Sequence, residues 1–249
     1  MAAPLQWLLL FGVGAVAGFM NIMAGGGSTL TMPTLIFLGL DSAAANGTNR
    51  VAIFIQNIFA ITSFHGEKKY DFFAVLKYAA WTLPGAILGA FFAISMDDQI
   101  FRRILGVIII GVMITVLIPQ AKKQPDDPAI ARKKWLIYPA LLGIGFYGGF
   151  IQAGVGFFIM SAFVHILHFN LIRVNMHKVF IIFIYTIPAL MIFMISGNIH
   201  YILALALAAG NATGAWWAAK LSIKKGEKII RLVLFVIVVI MAIKLFDFI

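Results

Sequence analysis

Ten apolar stretches separated by short loops constrain this chain more than any other feature. They run roughly over 5–24, 28–40, 46–64, 72–95, 101–119, 135–151, 154–168, 178–196, 200–220 and 229–248. A helical bilayer span needs about 20 apolar residues, so the ten segments absorb nearly all of the 249 residues. Charge agrees with hydropathy. Only 11% of residues are charged and 62% are hydrophobic, with a mean hydropathy of +1.01. A soluble domain carries about 25% charged residues, so this chain cannot clothe a water-facing surface. That excludes a soluble enzyme, a disordered tail and a nucleic-acid-binding domain. The net charge of +10 therefore marks basic loops and not a nucleic-acid partner. The absence of cysteine excludes disulfides, a thiol nucleophile and a Cys-zinc site.

Two segments are too short to cross. A stretch of about 13 helical residues, such as 28–40, rises only about 20 Å against a hydrocarbon core of about 30 Å. Segment 28–40 follows Gly25-Gly26-Gly27, and 154–168 opens on Gly154-Val155-Gly156. Such breaks predict discontinuous or re-entrant helices whose freed backbone lines a cavity or is buried in protein. Ala15-Val16-Ala17 has the look of a cleavage site, but no basic residue precedes Arg50. Segment 5–24 is thus read as the first membrane element and not as a signal peptide.

Basic residues orient the segments. Lys68 and Lys69 lie in the 65–71 loop, and Lys122, Lys123, Arg132, Lys133 and Lys134 in the 120–134 loop. Arg173 and Lys178 follow the seventh segment, while Lys220, Lys224, Lys225, Lys228 and Arg231 surround 221–228. The intervening loops are poorer, and Arg102-Arg103 sits beside Asp97-Asp98. The positive-inside rule places the rich loops in the cytoplasm and both termini outside a cell membrane. The 120–134 stretch, with Pro125, Asp126, Asp127 and Pro128, is the one linker-like segment. It separates an N-terminal repeat, 1–119, from a C-terminal repeat, 135–249.

The word repeat rests on an internal match at a shift of 129 residues. Gly25 and Gly27 fall on Gly154 and Gly156, Asn46 on Asn175, and Ile53-Phe54-Ile55 on Ile182-Phe183-Ile184. Phe64 falls on Phe193, Gly85-Ala86 on Gly214-Ala215, and Ile100 with Arg102 on Ile229 with Arg231. Each half has an odd number of crossings, five or, with a hairpin, three. The second half then enters from the opposite side, which makes an inverted-topology repeat. Gly-interrupted segments at matching positions of two halves are the best sequence pointer to a transporter's binding site.

Three clusters could carry the chemistry. The first is Asn21, Gly25, Gly26, Gly27, Ser28 and Thr29. Its hydroxyls stand where a half-helix begins, where they either cap the helix or meet a ligand, and a helix N-terminus attracts anions. The second is Gln152, Gly154, Val155 and Gly156, in which Phe157 and Phe158 replace the hydroxyls. The third is Asn46, Gly47, Thr48, Asn49 and Arg50, with Gln56 and Asn57 beyond it. Its mate is Asn175, Met176, His177 and Lys178, with Tyr185 and Thr186 replacing Gln56 and Asn57. Asn46, Asn49 and Asn57 share a helical face. Buried amides need partners, so helix-to-helix bonding and ligand binding are both open for them. No Asp or Glu lies deep in any segment, whereas Arg50, Lys178, His165, His168 and His177 lie in or near them. Such cations face a cavity or snorkel, and a basic, acid-free cavity favours an anion. His165 and His177 are candidates for a coupling proton. A sodium site would need carbonyls and hydroxyls. Gly14-xxx-Gly18, Gly85-xxx-Gly89 and Gly210-xxx-Gly214 suit close packing within the chain or a homodimer. Trp81, Trp216 and Trp217 read as packing or interfacial aromatics.

The same residues resemble a known family. Asn21 through Gly25-Gly26-Gly27, Pro33 and Ala45-Asn46-Gly47-Thr48-Asn49 look like the first-half signature of the sulfite-exporter TauE/SafE family. Gly145-Phe146-Tyr147-Gly148-Gly149, Gly154-Val155-Gly156, Pro84-Gly85-Ala86 and Gly214-Ala215 are similar to its other elements. The second half departs from the pattern by lacking a proline near Ala162 and by carrying Gln152 and Val155 among its glycines. The resemblance implies a prokaryotic-type plasma-membrane transporter of small anions such as sulfite, sulfoacetate or other organosulfonates, often outward.

The expectation is therefore an all-α polytopic membrane protein of two inverted-topology repeats with glycine-broken half-helices. It is expected to be a transporter without cofactor or metal and not an enzyme, with an anion channel as the alternative. The anion is expected between the two breaks. Backbone N–H groups, Asn21, Ser28, Thr29, Asn46 and Asn49 would hold its oxygens, with charge from Arg50 or Lys178. Gln152, Asn175, His177 and Tyr185 would form the opposite wall.

Overall fold

The computed structural model describes residues 3–64, 72–117 and 134–226, together with 229, 230, 232 and 233. The 65–71 loop, the linker as far as residue 133 and most of the tenth segment lie outside these residues, and with them the charge readings made there. All regular structure among the described residues is helical. The first half forms α1 (Ala3–Met23), α2 (Ser28–Phe37), α3 (Ser42–Phe64), α4 (Phe72–Ile94) and α5 (Asp98–Leu117). After a short 3-10 turn, Lys134–Leu136, the second half forms α6 (Ile137–Phe150), α7 (Val155–Ile166), α8 (Leu171–Ile195) and α9 (Tyr201–Lys225).

Among the described residues four helices are long and apolar enough to cross a membrane: α1, α4, α8 and α9. Helix α3 has the length, at 23 residues, but not the composition. It carries Ser42, Asn46, Thr48, Asn49, Arg50, Gln56 and Asn57, every one of them buried. Polar side chains at membrane depth are tolerated where protein covers them, and α3 is covered by α9, α8 and α2. The short segments are short helices, as their length dictates: 10 residues in α2 and 12 in α7.

Several helix boundaries in the two halves of the chain fall at a constant offset. Ser42 and Leu171 open α3 and α8, and Phe72 and Tyr201 open α4 and α9, each pair 129 positions apart. The caps match as well. Asp41 Oδ1 accepts the Ala44 N–H at 2.8 Å, and Asn170 Oδ1, 129 positions on, accepts the Arg173 N–H at 2.9 Å. The breaks follow a different offset. Helices α1 and α6 end, and α2 and α7 begin, 127 positions apart. Met20 O accepts from Ala24 and Gly25, as Tyr147 O does from Ile151 and Gln152. Structurally, then, Gly25 answers to Gln152 and Gly27 to Gly154, which corrects the ungapped pairing of Gly25 and Gly27 with Gly154 and Gly156. The cause is the two extra residues of α7, which restore the 129 offset before α8.

The first helix of each half packs along the fourth helix of the other: α1 on α9 and α6 on α4. Glycines set these contacts. A side chain at Gly14 or Gly18 would strike the α9 backbone at Leu207 and Asn211, and one at Gly210 or Gly214 would strike α1 at Phe11 and Ala15. Likewise Gly85 and Gly89 lie against α6, and Gly145 and Gly149 against α4. These small-residue stripes are used inside the chain. Helices α3 and α8 pass between the two pairs and touch each other. The apolar core gathers around them, with Ile53, Val174, Val179, Ile181 and Tyr185 in one cluster.

Candidate functional site

Each glycine break bends the chain where α1 gives way to α2 and α6 to α7. Gly25 adopts φ +95° and Gly154 φ +74°, left-handed conformations that glycine takes without a Cβ clash. Gln152 does the same at φ 65° with a side chain, a conformation costing about 1 kcal/mol or more. The two breaks meet directly. A Cβ on Gly25 would collide with the Gly156 backbone, and one on Gly156 with that of Gly25.

Beside this contact lies a small cavity lined by Asn21, Gly25 and Ser28 from the first half-helices and by Gln56 and Asn57 from α3. Gln152, Val155 and Lys178 close it from the second half, with Ile53 and Ile182 as apolar walls. Its volume is about 10 Å³, room for a single water. Its polar groups are partly matched. Asn21 Nδ2 donates to Gln56 Oε1 at 3.0 Å, and Asn21 Oδ1 accepts the Gly27 N–H at 2.7 Å. Gln152 Nε2 donates to Thr186 Oγ1 at 3.3 Å. Asn57 Nδ2 and Gln152 Oε1 are buried without a partner. An orphaned buried donor and acceptor call for an explanation, and a single water, which both donates and accepts, fits the volume.

Among the described residues two cations are wholly buried, Arg50 and Lys178. Among the described residues no Asp or Glu is buried with them. Backbone carbonyls at the ends of the broken helices hold both. Arg50 Nη1 donates to Gly148 O at 3.1 Å and Nη2 to Gly149 O, while its guanidinium lies 4.8 Å from the Phe193 ring centre. Lys178 Nζ donates to Ile22 O at 2.8 Å and to Asn175 Oδ1 at 2.7 Å, with Met160 Sδ at 3.6 Å. Ile22 and Gly149 are structural equivalents, 127 positions apart. Each half therefore sends one cation into the carbonyl end of the other half's broken helix.

The remaining sequence candidates divide by place. Thr29 donates to Gly26 O at 2.6 Å, and neither short helix has a side-chain N-cap bond, so Ser28 and Thr29 do not cap α2. Asn46 Nδ2 donates to Phe150 O at 2.6 Å, and Asn49 Oδ1 accepts from Thr31 at 2.6 Å. Thr48 Oγ1 accepts the His200 N–H at 2.9 Å. These three tie α3 to its neighbours and are not among the residues lining the cavity. Tyr185 is buried against Gly148. His177 sits among Tyr78, Phe163 and Phe169, with ring centres 5.3–6.3 Å away, and Nδ1 lies 2.8 Å from Arg173 O. His165 is exposed, with Nδ1 2.8 Å from Ser161 O. Neither histidine lines the cavity.

One residue went unread in the sequence. Asn211 is fully buried with neither amide atom partnered, and it is the residue that Gly14 and Gly18 approach. The signal was present, since α9 places an amide one residue after Gly210 in an otherwise small and apolar run.

Spanning-length apolar helices that enclose a polar cavity between two broken helices define a multi-pass membrane protein. Comparison with known proteins sharpens the class. The chain belongs to the sulfite exporter TauE/SafE family, whose model matches residues 10–245. It is 29% identical to a "probable membrane transporter protein" of Haemophilus influenzae over 90% of this chain and 88% of that one. It is 28% identical to the Escherichia coli K12 "probable membrane transporter protein YfcA" over 98% and 91%, and 24% identical to Bacillus subtilis YunE over 87% of each. No solved structure matches.

Proposed function

We propose that this membrane transporter carries a small anion, sulfite, sulfoacetate or another organosulfonate, by alternating access between two inverted-topology repeats, in the export direction. The carrying observation is that both glycine breaks converge on one cavity, lined by amides, a hydroxyl and a lysine, without a carboxylate among its lining residues. An oxyanion fits that donor set, because its several oxygens accept from Asn57, Ser28 and Lys178 together. The 129-residue offset of α3 with α8 and α4 with α9, and the crossed packing of α1 and α6, support two related halves. With the basic loops placed in the cytoplasm by the positive-inside rule, both termini lie outside a cell membrane.

A continuous anion channel is the other reading. A cavity of about 10 Å³ favours a site that must open before it fills. Counterflow of labelled sulfite or sulfoacetate in proteoliposomes of the full chain tests this. Saturable uptake accelerated by the same unlabelled anion inside supports a carrier. Non-saturable flux without counterflow overturns it, and no flux of any sulfur oxyanion or short carboxylate overturns the substrate class.

A further inference from the structure

We propose that Arg50 and Lys178 are tethered counter-cations standing where a transporter of this architecture would take up sodium, and that Lys178 alone of the two reads the charge of the anion. The second part rests on the anion reading above.

The argument starts from helix ends. The last carbonyls of a helix have no intrahelical partner and carry the negative end of its dipole. In transporters with broken helices, those ends and the unwound carbonyls coordinate the coupling cation. Here the closing carbonyls of α6 and two of those of α1 are already engaged. In α6 all four closing carbonyls have partners: Tyr147 O takes the Ile151 and Gln152 N–H groups, Gly148 O and Gly149 O take Arg50, and Phe150 O takes Asn46. In α1, Met20 O takes Ala24 and Gly25, and Ile22 O takes Lys178. The protein thus supplies at both breaks the positive charge that sodium would otherwise bring.

The two cations then differ in what they face. Arg50 points into α6 and the Phe193 ring and is not among the cavity's lining residues. Lys178 is on the wall, and it is the only ionisable residue among those lining the cavity. Its ammonium has three donors, given to Ile22 O, Asn175 Oδ1 and the weak acceptor Met160 Sδ. An oxyanion entering the cavity competes for them. Because Ile22 belongs to the first half and Lys178 to the second, that competition loosens a bond between the halves as the anion binds. Binding and the opening movement are joined at one side chain.

The test uses the purified full chain and has two arms. In the first, thermal unfolding is followed while sodium chloride replaces choline chloride at constant ionic strength, without added anion substrate. The expected result is equal stability, and a saturable sodium-specific stabilisation overturns the tethered-cation reading whatever the substrate is. In the second, sulfite is titrated against wild type, Lys178→Arg, Lys178→Gln and Arg50→Lys. Lys178→Gln keeps a donor for the Ile22 carbonyl without charge, which separates folding from recognition. Expected is a loss of sulfite affinity of about tenfold or more in Lys178→Gln, a smaller loss in Lys178→Arg, and near wild-type affinity in Arg50→Lys. Undiminished sulfite binding by Lys178→Gln overturns the role of Lys178. Failure of wild type to bind any sulfur oxyanion or short carboxylate instead overturns the substrate reading, and leaves the sodium arm to stand or fall by itself.

Discussion

Phe54 and Phe183 stack with ring centres 5.1 Å apart and planes inclined by 17°, and they lie 129 positions apart, the offset that relates α3 to α8. The pair therefore sits where α3 and α8 touch, which is where two repeats would meet. Offset-stacked rings contribute about 0.5–1.5 kcal/mol beyond the area they bury. Replacing each by Ala, and then both, should therefore give a double-mutant coupling of about 1 kcal/mol in thermal unfolding. Additive effects would show that the rings do not hold the halves together.

A second prediction concerns the contact between the breaks. Gly156 → Ala places a Cβ against the Gly25 backbone, where no flexible side chain can give way. Gly12 in α1 has nothing within 4 Å of the added atom. Gly12→Ala should be neutral or slightly stabilising, by up to about 1 kcal/mol, since Ala is the better helix residue. Gly156→Ala should lower the melting temperature and abolish anion counterflow. Wild-type counterflow in Gly156→Ala would mean that the breaks separate freely and do not form the site.

Much of this was legible in the sequence, and the part that was not has a physical cause. Apolar runs gave the helices, because in a bilayer the backbone must satisfy itself. The start of α8 at Leu171, ahead of an apolar run read from 178, was hidden by Arg173, Asn175 and His177, of which the fold buries the last two. The glycine breaks were visible as clusters, but their true correspondence was not. An ungapped shift cannot register two residues inserted within α7. Asn46, Asn49 and Arg50 stand out in the sequence as polar residues in an apolar segment, and the fold buries all three. That Asn46 and Arg50 meet backbone carbonyls and not the cavity depends on where α6 ends, and composition is silent on that.

Gly148 and Tyr185 give a third prediction. By the 127 and 129 offsets they answer to Asn21 and Gln56, which hydrogen-bond at 3.0 Å. The second half replaces an amide pair by a glycine under a large ring, and a Cβ at Gly148 would lie 2.8 Å from Tyr185 ring atoms. Gly148→Ala should be destabilising, and Tyr185→Gln, which removes the ring, should restore much of the loss in the double variant. Tyr185→Phe should be close to neutral, because the buried hydroxyl makes no close hydrogen bond and, among the described residues, only the Gln152 side chain stands near enough to give it one. A marked fall in melting temperature for Tyr185→Phe would reveal a bond to that hydroxyl in the working protein.

The last prediction separates stability from recognition at Arg50. Its guanidinium satisfies Gly148 O and Gly149 O, and Asn46 satisfies Phe150 O next to them. Arg50→Met strands two buried carbonyls, each costing about 1–3 kcal/mol, whereas Asn46→Ala strands one. Thermal unfolding should therefore rank wild type above Asn46→Ala, and Asn46→Ala above Arg50→Met. Asn175→Ala takes from the buried Lys178 ammonium one of its two oxygen acceptors, and an unmet charged donor is costly, so it too should lower the melting temperature as well as slow transport. Were Asn46→Ala and Asn175→Ala both to fold normally and transport at the wild-type rate, the paired asparagines would have no part in the site. Were Arg50→Met as stable as wild type, the end of α6 would be satisfied by some other group, and the matched anchoring of the two broken helices would lose its support.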